Sequence, residues 1–303
     1  MKNHLLGQTL VWLVCCIRVL AQEPAKVDPR ALPQEMDKAW REGRLEEAEE
    51  KLFEITTMAI NSRGADHKVS IVCREQLARL HLQMGWYQEA EAEIRDVILS
   101  RERTSGPDDK ETLRCRLHLA HVLNIMGKRD EAEKEFQSLL LKCSQTFGSD
   151  DDLTLDVRGD FAECHRLQGR LAIAEQENRL LLEDITRLHG FDSVNALAVR
   201  NNLAVVLSEG HNYAKAEELH RGLLAFRLKS ASSNQVAIAR SYANIAYCLE
   251  PQGKLSEALE FARQAERIWT GSIGASHPDT IRIREQRTRL ELAAKPAPSV
   301  PSQ

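Results

Sequence analysis

Residues 201–219 read NNLAVVLSEGHNYAKAEEL, and this stretch decides the fold. An apolar helical segment that ends near Leu207 is followed by a turn around Gly210 and then by a second helical segment. Ala204 and Ala216 are small residues, one on each segment, at the points where two antiparallel helices can touch. The stretch therefore predicts two helices folded back on each other.

The same unit recurs along the chain with a constant period of 42 residues. One alanine series marks the second helix of each unit: Ala48, Ala90, Ala132, Ala174, Ala216 and Ala258. A second series lies twelve residues earlier, on the first helix: Ala78, Ala120, Ala162, Ala204 and Ala246. A fixed period of this length is typical of helical repeat arrays. The pattern predicts an all-α solenoid of antiparallel helix pairs.

Glycines mark the turns and joints of this array. Five positions before the second-helix alanines lie Gly43, Gly85, Gly127, Gly169 and Gly253, and His211 takes this place in the fifth unit. The joints between units carry Gly64, Gly106, Gly148, Gly190 and Gly274, with Ser232 in the remaining place. Glycine ends helices readily because it accepts the left-handed conformation. These two series predict where each helix stops.

Composition limits the classes of function. The 303 residues are 43% hydrophobic, which is enough for a continuous core, and only 5% aromatic. The formal net charge of −4 argues against nucleic acid as a ligand, since phosphate binding needs a basic surface. A repeat array adds layers rather than separate domains as it lengthens.

The first 21 residues are predicted to be a cleavable signal peptide. Lys2 precedes an uncharged apolar run over residues 5–17, and Val19-Leu20-Ala21 supplies small residues at a cleavage site before Gln22. A helix of this length reaches only about 20 Å, which is too short for a bilayer core of about 30 Å, so no permanent membrane span is expected. We therefore expect a secreted or periplasmic protein; without cleavage, the chain would be cytoplasmic.

The remaining chain is expected to fall into three parts. Residues 22–33 contain three prolines and predict an extended lead-in. Residues 34–294 are predicted to form six repeats, the first of them truncated, followed by a capping helix that begins near Pro278. Residues 295–303 predict a disordered tail.

Five cysteines lie beyond the predicted cleavage site. They are Cys73, Cys115, Cys143, Cys164 and Cys248. An odd number without short spacings is not a disulfide framework. Two of them, Cys73 and Cys115, fall on neighbouring helices whose axes should be about 8–10 Å apart, farther than a disulfide prefers. We predict that all five are small core residues.

These residues carry a family resemblance. Leu203, Ala204, Tyr213 and Ala216 resemble the tetratricopeptide repeat, whose common form has about 34 residues. The longer 42-residue unit, with Asn201-Asn202-Leu203-Ala204 and the joint His277-Pro278-Asp279-Thr280, is similar to the kinesin light chain type. The resemblance covers roughly residues 34–294. It implies a right-handed superhelix whose first helices line a concave groove that binds a peptide or protein segment.

Sequence motifs of enzymes are missing. The chain contains no Gly-x-Ser-x-Gly, no His-Glu-x-x-His and no phosphate loop ending in Gly-Lys-Ser/Thr. Its serines, histidines and carboxylates are scattered over a regular scaffold. We therefore expect a non-catalytic interaction scaffold without a cofactor.

One cluster of charged residues has two interpretations. Arg114, His118 and His121 on one first helix correspond, after a shift of one repeat, to Asp156, Asp160 and Glu163. The favoured interpretation is ion pairing between neighbouring helices, which is worth about 0–1 kcal/mol per pair in water. Because a nearby carboxylate favours a charged imidazole, it predicts a raised pKa for His118. The alternative is a metal-binding repeat protein that uses His118, His121, Asp160 and Glu163.

The groove predicted by the resemblance would present a set of polar residues on the first helices. These candidate peptide-binding residues are Arg79, Asn124, Arg166, Asn201, Asn202, Val205, Arg240, Asn244 and Tyr247. Side-chain amides suit a peptide backbone because each offers two donors and an acceptor. Arg240 is expected to bind a carboxylate, and Val205 with Tyr247 an apolar side chain. The competing interpretation of Asn202 and Asn244 is local packing or solvation of the helix surface.

Overall fold

The computed structural model describes residues 31–229 and 234–294, and the regular structure in these ranges is entirely helical. The helices are α1 (Ala31–Arg41), α2 (Leu45–Arg63), α3 (Lys68–Met84), α4 (Tyr87–Ser105), α5 (Lys110–Ile125), α6 (Arg129–Phe147), α7 (Asp152–Leu167), α8 (Leu171–His189), α9 (Val194–Glu209), α10 (Tyr213–Lys229), α11 (Gln235–Leu249), α12 (Leu255–Ser272) and α13 (Pro278–Ala293). A 3₁₀ turn, Glu250–Gln252, follows α11. The prediction of an all-α solenoid is confirmed.

Some predicted segments lie outside the described residues. These are the signal segment 1–21, most of the lead-in 22–33 and the tail 295–303. The first helix begins at Ala31, three residues before its predicted start, so the end of the predicted lead-in is helical. The difference follows from Pro33, which is tolerated in the first turn of a helix because the amides there have no partner within the helix.

The repeat unit is the predicted helical hairpin. All six alanines of the second-helix series are fully buried. The alanines of the first-helix series, from Ala78 to Ala246, are also buried. Side chains this small let the two helices of a hairpin approach closely over the whole array. The predicted 42-residue register is thus confirmed in both helices of the repeat.

The turns adopt the conformations that their residues predict. The five turn glycines have φ between +74° and +79°, and the five joint glycines have φ between +87° and +95°. In the fifth hairpin Gly210 has an ordinary φ, and His211 takes the left-handed conformation with φ +61°. A non-glycine residue is uncommon there. The hydrogen bond between His211 Nδ1 and the hydroxyl of Tyr213, at 2.7 Å, supports this turn.

Side-chain caps fix where the first helices of four repeats and the final helix α13 begin. His67, Asp109, Ser193, Asn234 and His277 each accept a hydrogen bond from a backbone amide in the first turn of the helix that follows. Such caps pair amides that otherwise have no partner in the helix. Before α3, α5, α9 and α13, a joint glycine followed by a capping side chain therefore separates the helix from the preceding hairpin.

Contacts divide the chain into two compact units, residues 1–157 and 158–303. In the described part of the first unit, a core cluster around Met36, Leu52, Ile55 and Leu77 joins α1, α2 and α3. In the second unit, Trp269 is buried within a cluster that joins α10 to α13. The last helix, α13, buries apolar and small polar side chains on one face. Its Arg284 and Arg287 pair with Glu266 of α12.

One core position changes character along the array. The second helices carry, at equivalent positions four residues after the series alanine, Leu52, Ile94, Phe136, Asn178, His220 and Ala262. All six side chains are buried. Asn178 donates a hydrogen bond to the carbonyl oxygen of Ala174 at 2.8 Å, while Nδ1 of His220 has no hydrogen-bond partner. The fourth and fifth repeats thus bury a polar side chain where the first three bury an apolar one.

The cysteines of the described residues are buried in the core, as predicted. Cys73, Cys115, Cys143, Cys164 and Cys248 form no disulfide with one another. Burial raises the pKa of the Cys248 thiol. They serve as small apolar side chains between helices.

Within residues 31–229 and 234–294, no helix is both long enough and apolar enough to cross a membrane.

Ala216→Leu should lower the free energy of unfolding by about 1–3 kcal/mol, because the larger side chain overpacks the contact of α10 with α9. Ala216 is fully buried in a cluster with Leu203, Leu207 and Cys248. Thermal unfolding followed by circular dichroism measures the loss. Ala214→Leu is the matched control, since Ala214 lies on the same helix but is exposed. An equal effect of the two variants would contradict the observed helix pairing.

Candidate binding surface

The most accessible group of predicted site residues lies on two first helices of the second unit. Asn201, Asn202 and Val205 lie on α9, and Arg240, Asn244 and Tyr247 lie on α11. Within each helix, spacings of three and four residues place these side chains on one face. The two helices are in contact, because Ser208 Oγ of α9 lies 3.4 Å from Cys248 Sγ of α11. We call these six residues the α9–α11 face.

Three side-chain amides on the α9–α11 face are available to a ligand. Asn201, Asn202 and Asn244 are half-buried, and none hydrogen-bonds through its side chain to another described residue. Each amide therefore retains two donors and one acceptor. Asn202 and Asn244 occupy equivalent positions of successive repeats, so they present the same group twice along the array.

An aromatic surface lies beside these amides. Tyr247 is 52% exposed, and its ring packs edge-on against the ring of Tyr213 with centroids 6.4 Å apart. Val205 occupies the position of Tyr247 one repeat earlier and is half-buried. Aromatic rings that are fixed by neighbours but still exposed can bind apolar side chains with little further loss of conformational freedom.

Arg240 supplies a positive charge at the same face. Its side chain is exposed, and it makes no ion pair with any residue in the described part of the chain. Another cation, Arg227, lies close enough to feel this charge: burial and the proximity of Arg240 lower the pKa of Arg227. The uncompensated charge makes this part of the α9–α11 face attractive to a carboxylate.

Asn124 does not lie on an accessible surface. Asn124 is only 4% exposed, and its Oδ1 is buried without a hydrogen-bond partner among the described residues. The equivalent residue two repeats later, Ser208, is also buried and contacts the next first helix. This position lies in the buried contact between helices. The prediction that Asn124 contacts a ligand is therefore wrong.

Arg166 is already engaged within the protein. Its guanidinium donates to Glu163 at 2.6 and 2.7 Å and also pairs with Glu209 of α9. These pairs raise the pKa of Arg166. A ligand at this position would have to compete with two carboxylates, which separates Arg166 from the unpaired residues of the α9–α11 face.

The pKa of His118 is shifted in the opposite direction to the prediction. It is lowered to about 4, first by the loss of solvation among surrounding protein atoms and second by the positive charge of Arg79. The residue keeps an exposed edge. The expected ion pairs joined His118 to the following repeat, whereas Arg79 belongs to the preceding one. The proposed raised pKa of His118 is therefore wrong.

A cavity of about 220 Å³ in the first unit was not predicted. Arg79, the last of the candidate peptide-binding residues, lines this cavity together with Glu75, Cys115 and His118. The sequence held a signal for this cavity, because two pairs of residues lie three or four positions apart on one helix: Glu75 and Arg79 on α3, and Cys115 and His118 on α5. This spacing could have indicated that the four side chains line one cavity. The apolar part of the cavity comes from Ala78 and Leu82 of α3 and from Ile94 and Val97 of α4.

The part of the chain that the structure describes contains no group of three or more histidine, cysteine and acidic side chains that could hold one metal ion. The function proposed below does not use a metal.

The fold and its register define an α-solenoid of repeated helical hairpins. Models of the tetratricopeptide repeat match residues 70–109, 111–183, 196–234 and 239–268, which together are more than half of the chain. The chain belongs to the tetratricopeptide repeat family and is a protein-interaction scaffold. A search of curated proteins finds no match.

Solved structures support the same fold. BtubC (BKLC) from P. vanneervenii is similar with a TM-score of 0.59 and 20% identity, over 82% of this chain and 94% of that one. A putative kinesin light chain from Podospora anserina gives 0.54 and 19%, over 67% and 97%. A Rap protein complexed with competence and sporulation factor gives 0.58 and 11%, over 97% and 88%. The predicted resemblance to repeats of the kinesin light chain type is confirmed.

Proposed function

We propose that the chain acts by binding alone, and that its α9–α11 face holds an extended peptide segment of a partner protein. The observation that carries this proposal is the set of three half-buried amides, Asn201, Asn202 and Asn244, without partners among the described residues. An extended peptide offers backbone donors and acceptors that such amides can pair. The complex of the similar Rap protein with competence and sporulation factor supports the choice of a binding function.

The chemistry of the face specifies the peptide further. Arg240 favours an acidic side chain, because a carboxylate would give it the counter-ion that it lacks. Tyr247 and Tyr213 favour an apolar or aromatic side chain nearby. We therefore expect the preferred segment to combine one acidic residue with one apolar residue.

A random peptide library displayed on phage tests this expectation. Selection on the purified full chain should enrich peptides with the acidic and apolar pair, and fluorescence polarisation then gives their dissociation constants. Failure to enrich any binding peptide would count against the proposed function. Enrichment of basic peptides would contradict the role given to Arg240.

Asn202→Ala should weaken a selected peptide by about 1–3 kcal/mol, which is roughly 5- to 150-fold, because a peptide group loses its hydrogen-bond partner in the complex. Asn244→Ala should have a similar effect, since it repeats the same contact. Asn61→Ala is the control, because Asn61 is exposed on α2 of the first unit. If both face variants bind as tightly as the control, the peptide site is elsewhere.

A further inference from the structure

The cavity in the first unit has an apolar part of definite size. Its apolar wall is formed by Ala78 and Leu82 of α3 and by Ile94 and Val97 of α4. The volume is about 220 Å³. For comparison, an engineered apolar cavity of about 150 Å³ holds one benzene molecule. The space therefore accommodates a benzene-sized group together with a small polar group.

Glu75, the only carboxylate among the described residues that line the cavity, is already neutralised. Arg101 Nε donates to Glu75 Oε1 at 2.5 Å, and the thiol of Cys115 donates to the same oxygen at 3.2 Å. Burial and Glu75 raise the pKa of the Cys115 thiol, so Cys115 remains protonated and uncharged. The wall at Glu75 thus carries no excess negative charge.

Arg79, in contrast, has no contacting counter-ion. Its Nη1 donates to the side-chain oxygen of Gln76 at 3.3 Å, and it forms no ion pair within contact distance of any described residue. The side chain is partly buried, and burial lowers its pKa although Glu75 opposes that shift. A cation that is removed from water without a counter-ion is unfavourable, and a bound anion would relieve this cost.

His118 provides a second donor across the cavity. Its pKa of about 4 leaves the imidazole neutral at pH 7, so one ring nitrogen carries a proton that it can donate. A carboxylate between Arg79 and His118 could accept hydrogen bonds from both. The polar end of the cavity therefore has the donors, and the net positive charge, that suit a monoanion.

We propose that this cavity binds a small free monocarboxylic acid, with its carboxylate on Arg79 and His118 and its apolar group between Leu82, Ile94 and Val97. The site is formed wholly by α3, α4 and α5. It is independent of the α9–α11 face, so a ligand here and a peptide there would be separate occupants of the same scaffold.

Phenylacetate is a suitable probe, since it joins a benzene ring to a carboxylate through one carbon. Isothermal titration of the full chain at pH 7 should show saturable binding with a dissociation constant of about 1 mM, as expected for a ligand of this size. Phenylacetamide has the same shape without the charge, and it should bind at least about tenfold more weakly.

Two variants assign the binding to this cavity. Arg79→Gln should weaken phenylacetate at least about tenfold, because the charge-assisted hydrogen bond is lost. Arg95→Gln is the matched control, since Arg95 lies on α4 but is exposed and paired with Glu91, and it should leave binding unchanged. Leu82→Phe places a larger side chain in the apolar part of the cavity, where it should take the space of the ligand. This variant should abolish binding although Arg79 is kept.

Several results would overturn the proposal. They are the lack of saturable phenylacetate binding to the folded wild-type chain, equal binding of the acid and the amide, and unchanged binding in Arg79→Gln. If Arg79→Gln does not fold, Leu82→Phe decides alone: full binding by that variant also overturns the assignment.

Discussion

Replacing Phe136 with alanine should lower the free energy of unfolding by about 3–5 kcal/mol. Phe136 lies on α6, is fully buried and is the largest of the fully buried side chains among the described residues. The loss combines the transfer of the ring out of water with a cavity that the neighbouring helices cannot close completely. Denaturant unfolding followed by far-ultraviolet circular dichroism measures the change.

Phe53 offers a matched control for this substitution. It lies on α2 of the same unit, but 57% of it is exposed. Phe53→Ala should change the free energy of unfolding by only about 0.5 kcal/mol or less. A loss at Phe53 equal to that at Phe136 would mean that the core of the first unit is not packed as the structure shows.

The second large effect concerns pH and the buried His220. Its pKa is lowered to about 4, mainly by burial and further by the positive charge of Arg227. An unfolded histidine titrates at about 6.5. Between these values the unfolded chain binds the proton and the folded chain does not, so stability falls as pH falls. This single group should cost about 3 kcal/mol between pH 6.5 and pH 4.

His220→Leu should remove this part of the pH dependence. The equivalent position of the first repeat is Leu52, so a leucine suits the site. Urea unfolding at several pH values gives, for each protein, the slope of the free energy of unfolding against pH. Because variant and wild type share the same carboxylates, the difference between their slopes gives the contribution of His220. His189→Gln, which removes an exposed histidine of the same unit, is the control for loss of one imidazole. A slope for His220→Leu that matches the wild type would contradict a neutral, buried His220.

The fold could be predicted because its determinants are local and repeated. A small residue is required wherever two helices touch, and a left-handed residue is required wherever a helix ends. The alanine series that includes Ala216 and the glycine series that includes Gly253 meet these requirements along the array. The spacing of these two series was therefore enough to predict the hairpins. Even the exception was visible, since His211 stands where the other hairpins have glycine.

The candidate binding surface was only partly predictable. Helical spacing grouped Asn201 with Val205 and Arg240 with Asn244, because side chains three or four residues apart share a face. It could not show that Asn124 turns into the packing between helices. Nor could it show that Arg166 is paired with Glu209 of α9, since this contact and the burial of Asn124 depend on how far neighbouring helices rotate. Such rotations are set by packing and leave no simple periodic signal.

The polar core positions of α8 and α10 have a consequence for the order in which the array comes apart. In repeat proteins, each hairpin contributes its own stability and that of its contacts with immediate neighbours. Asn178 and His220 replace the apolar side chains that Leu52, Ile94 and Phe136 provide earlier, so two successive hairpins contribute less. Local opening should therefore start at these hairpins, ahead of the apolar layers around Phe136. The hairpins of lowest local stability would then lie next to the proposed α9–α11 face.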